Sequence, residues 1–585
     1  MGVGMSEQDD KIRKSRQAWE EGPLHKAMER FAYLQEAPSR FYTPLDQANF
    51  DFLEQVGFPG DYPFTAGTYP FDPMAGLSRL AAKAPRSSGL TRAAMYSGYG
   101  APEDTRDYYQ QIIERGVRQG PNLAMDLPTQ CGYDSDNELM EGEVGRVGVA
   151  IDTLRDLEVI YEPYQGDLDL DSIASNFTIN APAIYLIAMY AALAEKRGIA
   201  IGKLRATPQN DILKEYIARG TYIFPPKKAM RLFRDILVFI NEHMPRMNIT
   251  SMGGYHIREA GATREQDLAF SMAIACAYCQ AGLDAGLEVD DFAPHFTFNA
   301  FGGSMEVLHE IAFQRAARRM YARLLKERFG AKDPRSMIIR QPICAHIGPT
   351  STTKQRPLNN VIRATIGAMA GSMSGGPPAA FPPYDEPLGL GWSREAQQLA
   401  QDTGRILACE ARMLDVVDPF AGSYFMEART DEIEAAAQAE LDKIDEMGGI
   451  VAAIEQGYVQ RAVTQSAYEH QRLISNGEVQ IVGVNCFLGE NELEVETTRL
   501  VPHPYDPERR NRAEERQIVN LKEVKRTRNG AEVKRLLTEL EHKAALEEEN
   551  LTPHLIECAK AYATMQEVCD VLRNVFGEYE PPSIF

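Results

Sequence analysis

Between residues 115 and 400 short β-like runs alternate with longer helical patterns. The β-like runs fall at 122–126, 175–180, 204–209, 249–255, 295–299 and 337–343. Apolar positions recur at helical spacing over 183–197, 211–219, 263–281 and 306–329. Strand–helix alternation of this length predicts an α/β fold with a parallel sheet, and a (β/α)8 TIM barrel fits the span. Beyond 425 the pattern turns helical at 430–447, 450–475, 531–549 and 551–576, with one strand-like run at 480–487. The polar, Pro-containing stretch 502–528 reads as a linker or extended arm. The pattern therefore divides into an N-terminal arm with short helices (1–60), a barrel (61–425) and a helical C-terminal region (426–585).

The strands are polar for a barrel. Such interiors are normally filled by Val, Ile and Leu. Here the strands carry Ser175, Thr178, Thr207, Thr250, Ser251 and Thr297. Small polar side chains leave room and offer hydrogen bonds, as a ligand along the barrel axis would need. Alternatively, these residues face outward, since a slip of one residue exchanges the two faces.

Bulk properties narrow the class. At 585 residues the chain exceeds one ordinary domain. Its 62 basic and 83 acidic residues leave a net charge of −21. So acidic a surface argues against nucleic acid or an anionic membrane as partner. The stretch 73–92 departs from this, with Arg79, Lys83, Arg86, Arg92 and no acid. It is either a loop facing phosphates or a solvated loop. Eight cysteines are scattered, and only Cys276 and Cys279 form a C-x-x-C pair, inside an apolar helical run. Buried packing is the expected role, because one such pair lacks the second ligand pair of a zinc site. No disulfide framework, signal core or membrane-length apolar run is present in the sequence, so a cytoplasmic location is expected.

Polar clusters at strand C-termini are the first suspects for catalysis. Three stand out: residues 126–136 (Asp-Leu-Pro-Thr-Gln-Cys-Gly-Tyr-Asp-Ser-Asp), residues 209–216 (Gln-Asn-Asp-Ile-Leu-Lys-Glu-Tyr) with Arg219 beyond, and residues 253–261 (Gly-Gly-Tyr-His-Ile-Arg-Glu-Ala-Gly). Together with Tyr62-Pro-Phe-Thr, Gly142-Glu-Val-Gly, Gly148-Val-Ala-Ile-Asp, Asn180-Ala-Pro-Ala, Asp290-Asp-Phe-Ala-Pro and Asp418-Pro-Phe-Ala-Gly-Ser, they resemble the methylmalonyl-CoA mutase family. The likeness runs from about residue 60 to the C-terminus.

The resemblance implies a (β/α)8 barrel traversed by the coenzyme A tail, with adenosylcobalamin as the source of radical chemistry. It implies that His256 bonds the thioester carbonyl, that Arg219 pairs with a substrate carboxylate, and that Tyr96 packs between substrate and cofactor. Tyr69, Thr207, Gln209, His295 and Thr297 match substrate-contacting positions as well. Ala124, Met125, Val147, Gly348, Glu386 and again Arg219 match positions near the cofactor. Tyr96 together with Arg219 favours a carboxylate-bearing acyl group of the methylmalonyl or succinyl type. The alternatives are isobutyryl-, 2-hydroxyisobutyryl-, ethylmalonyl- or alkylsuccinyl-CoA, or a non-catalytic barrel paralogue.

The chain also departs from the family. The region of a usual Phe-His-x-Gln-Thr stretch reads Arg340-Gln-Pro-Ile-Cys-Ala-His, and Pro378-Ala-Ala-Phe-Pro-Pro replaces a stretch that usually contains Asn. His295 stands where Arg is usual. The cobalt-ligating Asp-x-His-x-x-Gly motif is absent. A separate small cobalamin-binding subunit is therefore expected, with the large subunits paired in a heterotetramer. Cobalt would enter only with the cofactor.

Overall fold

The centre is built from short parallel strands: β1 (Asn122–Ala124), β2 (Ser175–Thr178), β3 (Ala206–Pro208), β4 (Thr250–Met252) and β5 (Phe296–Phe298). They lie in a computed structural model that describes residues 7–30, 41–47, 49–71, 98–114, 116, 118–298, 301–340, 347–375, 382–388, 393–489 and 507–582. One sheet has the order β1-β2-β3 and the other pairs β4 with β5. Backbone bonds join them, from Asn248 to the Ala206 carbonyl at 2.9 Å and from Ser251 to the Gln209 carbonyl at 2.8 Å. The row continues where Phe298 N–H reaches the Arg340 carbonyl at 3.0 Å. At the other edge, Val149 bridges to both Gly100 and Met125.

The fold is thus α/β, mostly helical, with small parallel sheets. A complete eight-stranded barrel is not shown among the described residues, and the unusual stretches 341–346 and 378–381 lie outside them, as does the basic loop 73–92.

The polar strand positions divide between the two faces. On β2, Ser175 and Phe177 are buried while Asn176 is exposed and Thr178 half-buried. Ser175 turns to the helical layer, where the Tyr161 hydroxyl donates to it at 2.7 Å. Asn176 belongs to the central strand of its sheet yet reaches open space, so the other face lines a hollow. Thr207 shares that half-open character on β3. Thr250 and Thr297 are structural: their hydroxyls donate to the Gln209 and Thr250 carbonyls at 3.0 Å and 2.9 Å.

Helices cover the outer face. Ala183–Lys196 is apolar all round and buried from Ala183 through Ala194, as a core helix must be. Arg264–Asp284 starts on a capping box of Thr263 and Gln266 and buries Cys276 and Cys279. No single described helix is long and apolar enough to cross a membrane.

Several expectations need correction. Residues 480–487 form turns with one Val482–Cys486 bridge rather than a strand, because among the described residues no neighbouring strand pairs with them. The predicted linker contains the helix Pro507–Thr527. Its polar residues are docking groups: Gln517 is fully buried and donates to Asp152 at 2.7 Å, and Lys525 pairs with Asp134 and Asp136 at 3.0 Å each. The predicted helix 450–475 breaks at Gly457, whose φ of 68° lies in the left-handed region. The run 337–343 begins as a helical turn, Pro334–Met337, before extending toward Arg340.

Candidate functional site

The site grows from the C-terminal ends of β3 and β4. Beyond β3, Asn210 takes a φ of 41° and the chain enters a short helical turn, Ile212–Lys214. That turn widens into a π-helical turn, Glu215–Arg219, which Gly220 ends at a φ of 79°. Such widened turns recur at functional sites because they re-aim side chains. Here the result is a fully buried Lys214 and Glu215 with Arg219 exposed at the rim.

These charges are held by a closed set of bonds. Lys214 Nζ donates to Glu215 Oε1 and, at 3.0 Å, to Gln209 Oε1. Asn180 Nδ2 donates to Gln209 Oε1 at 2.9 Å and to Glu215 Oε1 at 2.8 Å. The second Glu215 oxygen accepts from the backbone and hydroxyl of Thr221. Burial pushes the Glu215 carboxyl up, but Lys214, Arg219 and the hydrogen bonds outweigh it and hold it below the usual range. Arg219 makes no ion pair among the described residues.

β4 delivers the histidine. It leads into the short helix Gly254–Glu259. Gly253 N–H, just before the helix, donates to Asp211 Oδ2 at 2.8 Å, while the Tyr278 hydroxyl donates to Asp211 Oδ1 at the same distance. Asp211 thereby ties the end of β3, the start of the histidine helix and the Arg264–Asp284 helix together. Gly254 is needed there, since a Cβ would meet Ser271 Oγ at 2.4 Å and Asp267 Oδ1 at 2.5 Å. His256 lies with its ring 3.9 Å from that of Tyr255. Its Nδ1 is sealed from solvent beside Gly253. Burial, then the positive charges of Lys214 and Arg219, outweigh a backbone hydrogen bond at Gly253 and hold its pKa well below the usual value, so the imidazole is neutral at pH 7. The ring as a whole is half-buried, which leaves its outer edge open to a ligand atom.

The same helix reaches the residues expected near a cofactor. Glu259 accepts from Thr350 N–H at 2.9 Å, and Gly348 packs so closely that a Cβ would come within 1.4 Å of its carboxylate. Glu386 has a buried, partnerless Oε2, and burial, Asp385 and Glu259 push its pKa up to about 7. At the end of β1 glycine backbones pack on strand backbone: a Cβ on Gly98 would meet the Ala124 carbonyl oxygen at 2.3 Å, and one on Gly148 the Met125 carbonyl carbon at 2.2 Å. Met125 is sealed beneath, whereas Val147 beside it is 55% exposed. The result is a low floor at the end of β1 with apolar Val147 exposed beside it, which a flat face could approach.

Other expected residues lie apart. Thr207 Oγ1 accepts from Asn248 Nδ2 at 2.7 Å, and half-buried His295 precedes β5 with its imidazole bonded to the Met247 backbone. Both stand toward the N-terminal ends of the strands, away from Gln209 and His256. Tyr69 is 48% exposed in a segment anchored where Thr68 donates to the Ile339 carbonyl at 3.3 Å. Tyr96 lies outside the described residues. Sequence reasoning missed the roles of Asn180, Asp211, Lys214 and Glu215. All four fall within motifs it had marked, but their importance rests on contacts between different strands. Among the described residues no cluster of His, Cys, Asp or Glu could hold a metal ion.

The family model described as methylmalonyl-CoA mutase matches residues 34–578. The 2-hydroxyisobutanoyl-CoA mutase large subunit of Aquincola tertiaricarbonis is 37% identical over 582 residues, covering 98% of each chain. Methylmalonyl-CoA mutase of Escherichia coli (strain K12) is 36% identical over 92% of this chain and 71% of its own. The probable mitochondrial methylmalonyl-CoA mutase of Caenorhabditis elegans is 35% identical over 90% and 67%, respectively.

Proposed function

The chain belongs to the methylmalonyl-CoA mutase family, and on that premise we propose that it is the large, substrate-binding subunit of a cobalamin-dependent acyl-CoA mutase, an isomerase that rearranges carbon skeletons. The observation that carries this reading is the neutral, half-buried His256, which feels the charges of the buried Lys214 and the rim Arg219. A neutral imidazole can donate to a thioester carbonyl and stabilise charge that develops on its oxygen. Arg219, which makes no ion pair among the described residues, suits an acyl carboxylate through its planar fork. A methylmalonyl or succinyl group is therefore the preferred substrate class. A 2-hydroxyisobutyryl group is the second reading, favoured by the large-subunit relative that matches over almost the whole of both chains.

The coenzyme A tail would run through the hollow lined by Asn176 and Thr207, past His295, with the strands completing a (β/α)8 barrel around it. Gly348, Glu386 and Val147 would hold the cofactor, in its adenosyl form, against the floor formed at Ala124 and Met125. Bound there, cobalamin supplies a carbon-centred radical by homolysis of a weak cobalt–carbon bond. The chain's own residues orient the acyl group and exclude water from it. A small cobalamin-binding partner, a dimer of large subunits and a cytoplasmic location complete the proposal.

The test is reconstitution with a small cobalamin-binding subunit and adenosylcobalamin, assayed on a panel of acyl-CoA thioesters. Turnover of at least one, with a paramagnetic signal that appears only with substrate, is expected. Silence across the panel would sink the active-mutase reading.

A further inference from the structure

The buried network behind His256 constrains one side chain more tightly than hydrogen-bond counting suggests. Gln209 has a carbonyl oxygen and an amino group of nearly equal size, so packing alone does not orient its amide. Its neighbours do. Asp211 N–H donates to Asn180 Oδ1 at 3.0 Å, which turns Asn180 Nδ2 toward Gln209 and Glu215. Thr221 N–H fixes one Glu215 oxygen at 3.2 Å, leaving the other for Lys214. Two backbone N–H groups, which cannot be inverted, thus set every member between them. Lys214 closes the argument: an ammonium has three donors and no acceptor, so the Gln209 atom 3.0 Å from it must be the oxygen. The Nε2 hydrogens are then the only donors Gln209 has left. They have no partner among the described residues, and Nε2 is not among the sealed, partnerless atoms, so in a residue only 4% exposed it is the amide atom that is not closed off.

We propose that Lys214 is a positioning residue for the acyl group: by holding the Gln209 oxygen it presents the Gln209 amide N–H bonds to the thioester carbonyl. This rests on the acyl-CoA reading above and deepens it. A thioester oxygen only accepts, so an inverted Gln209 would set oxygen against oxygen. Lys214 touches no substrate in this role; it acts through Gln209.

Lys214→Met alone strands Glu215 as a buried, unpaired charge and threatens folding. The informative variant is Lys214→Met/Glu215→Gln, with Lys214→Gln/Glu215→Gln as a second charge-free pair and Gln209→Leu as the reference. Thermal unfolding identifies the folded variants. Calorimetry on the full chain then compares the best-bound acyl-CoA with its thioether counterpart, which lacks the carbonyl. Infrared spectroscopy of the 13C-labelled thioester reads hydrogen bonding to the bound carbonyl directly. The unaltered chain should prefer the thioester about tenfold, the worth of one good hydrogen bond, and should lower its carbonyl stretch. A folded double variant, in which Asn180 Nδ2 still donates to the Gln209 oxygen, should lose a measurable share of both effects, and Gln209→Leu should lose more. A folded double variant that keeps the preference and the lowered stretch overturns the role of Lys214 and leaves the acyl-CoA reading standing. If Gln209→Leu changes neither measurement, Gln209 does not meet the carbonyl and the proposal falls. If the unaltered chain binds neither compound, the acyl-CoA reading fails and takes the proposal with it.

Discussion

Two regions of this protein bury charge, and they finish differently. On the Val307–Arg323 helix, Arg315 has no solvent exposure, and all three guanidinium nitrogens are bound: Nε to Asp418 at 3.1 Å, Nη2 to Glu427 at 2.8 Å, Nη1 to Glu427 and Thr430 at 3.1 Å each. One turn on, Arg319 binds Asp431 and Glu434, and Arg323 continues to Glu434 at 2.9 Å. This ladder staples the Tyr424–Glu446 helix to its neighbour, with every guanidinium nitrogen of Arg315 bound to protein and only Asp418 Oδ1 left buried without a partner. Behind the β3 end, Lys214 is as deeply buried, yet donor capacity remains at the edge, in Gln209 Nε2 and Arg219, beside a half-buried His256. A network whose cations end on protein carboxylates holds helices together, whereas one that leaves a donor uncommitted at its edge can take a ligand.

Experiments can break that contrast. The largest effect should come from the ladder. Arg315→Met leaves Asp418 and Glu427 buried without their cation and should cost about 3–5 kcal/mol of stability, read by denaturant unfolding. A loss below about 1 kcal/mol would mean that the ladder is not a structural staple. Next, His256→Ala should lower kcat by about 10²–10³-fold with the thermal midpoint little changed, as loss of a donor to a developing oxyanion does. Unchanged turnover would put His256 with the structural groups instead. Arg219→Gln should lower kcat/KM by about 10- to 100-fold for carboxylate-bearing acyl groups only. Equal losses on neutral acyl groups would remove the carboxylate assignment.

The smallest effect is a pH dependence. His256 is held neutral in the folded state, its pKa well below 6.5, while the unfolded chain takes up a proton at about 6.5. Stability contributed by this residue is therefore whole above about pH 6.5 and is lost as the pH falls, by up to about 1.4 kcal/mol per unit. Ring resonances assigned through His256→Ala should stay those of neutral imidazole between pH 8 and 6. A midpoint near 6.5 would contradict the burial seen here.

Much of this was legible in the residues. Five of the six β-like runs contain an observed strand, and Cys276 and Cys279 are buried as their apolar surroundings implied. The clusters around Gln209 and His256 do meet at one site. The errors share a cause. Residues 502–528 looked like a linker because few are apolar, but Gln517 and Lys525 dock by hydrogen bonds and charge, which hydrophobic periodicity does not record. The run 480–487 had strand composition without a partner strand, and composition alone cannot supply one. Thr207 and Thr297 read alike as polar barrel residues, yet Thr297 bonds its neighbouring strand and Thr207 faces the half-open side.

By itself, then, the sequence determined the α/β class, the family and the motifs that carry the reacting groups, because periodicity and residue type are local properties. Tertiary structure alone decided which polar groups are satisfied. Whether Arg315 is a staple, how strongly the charge of Lys214 bears on His256 and which way Gln209 turns depend on atoms brought from distant elements. Hydrogen bonds act over about 3 Å of space, whatever the separation along the chain.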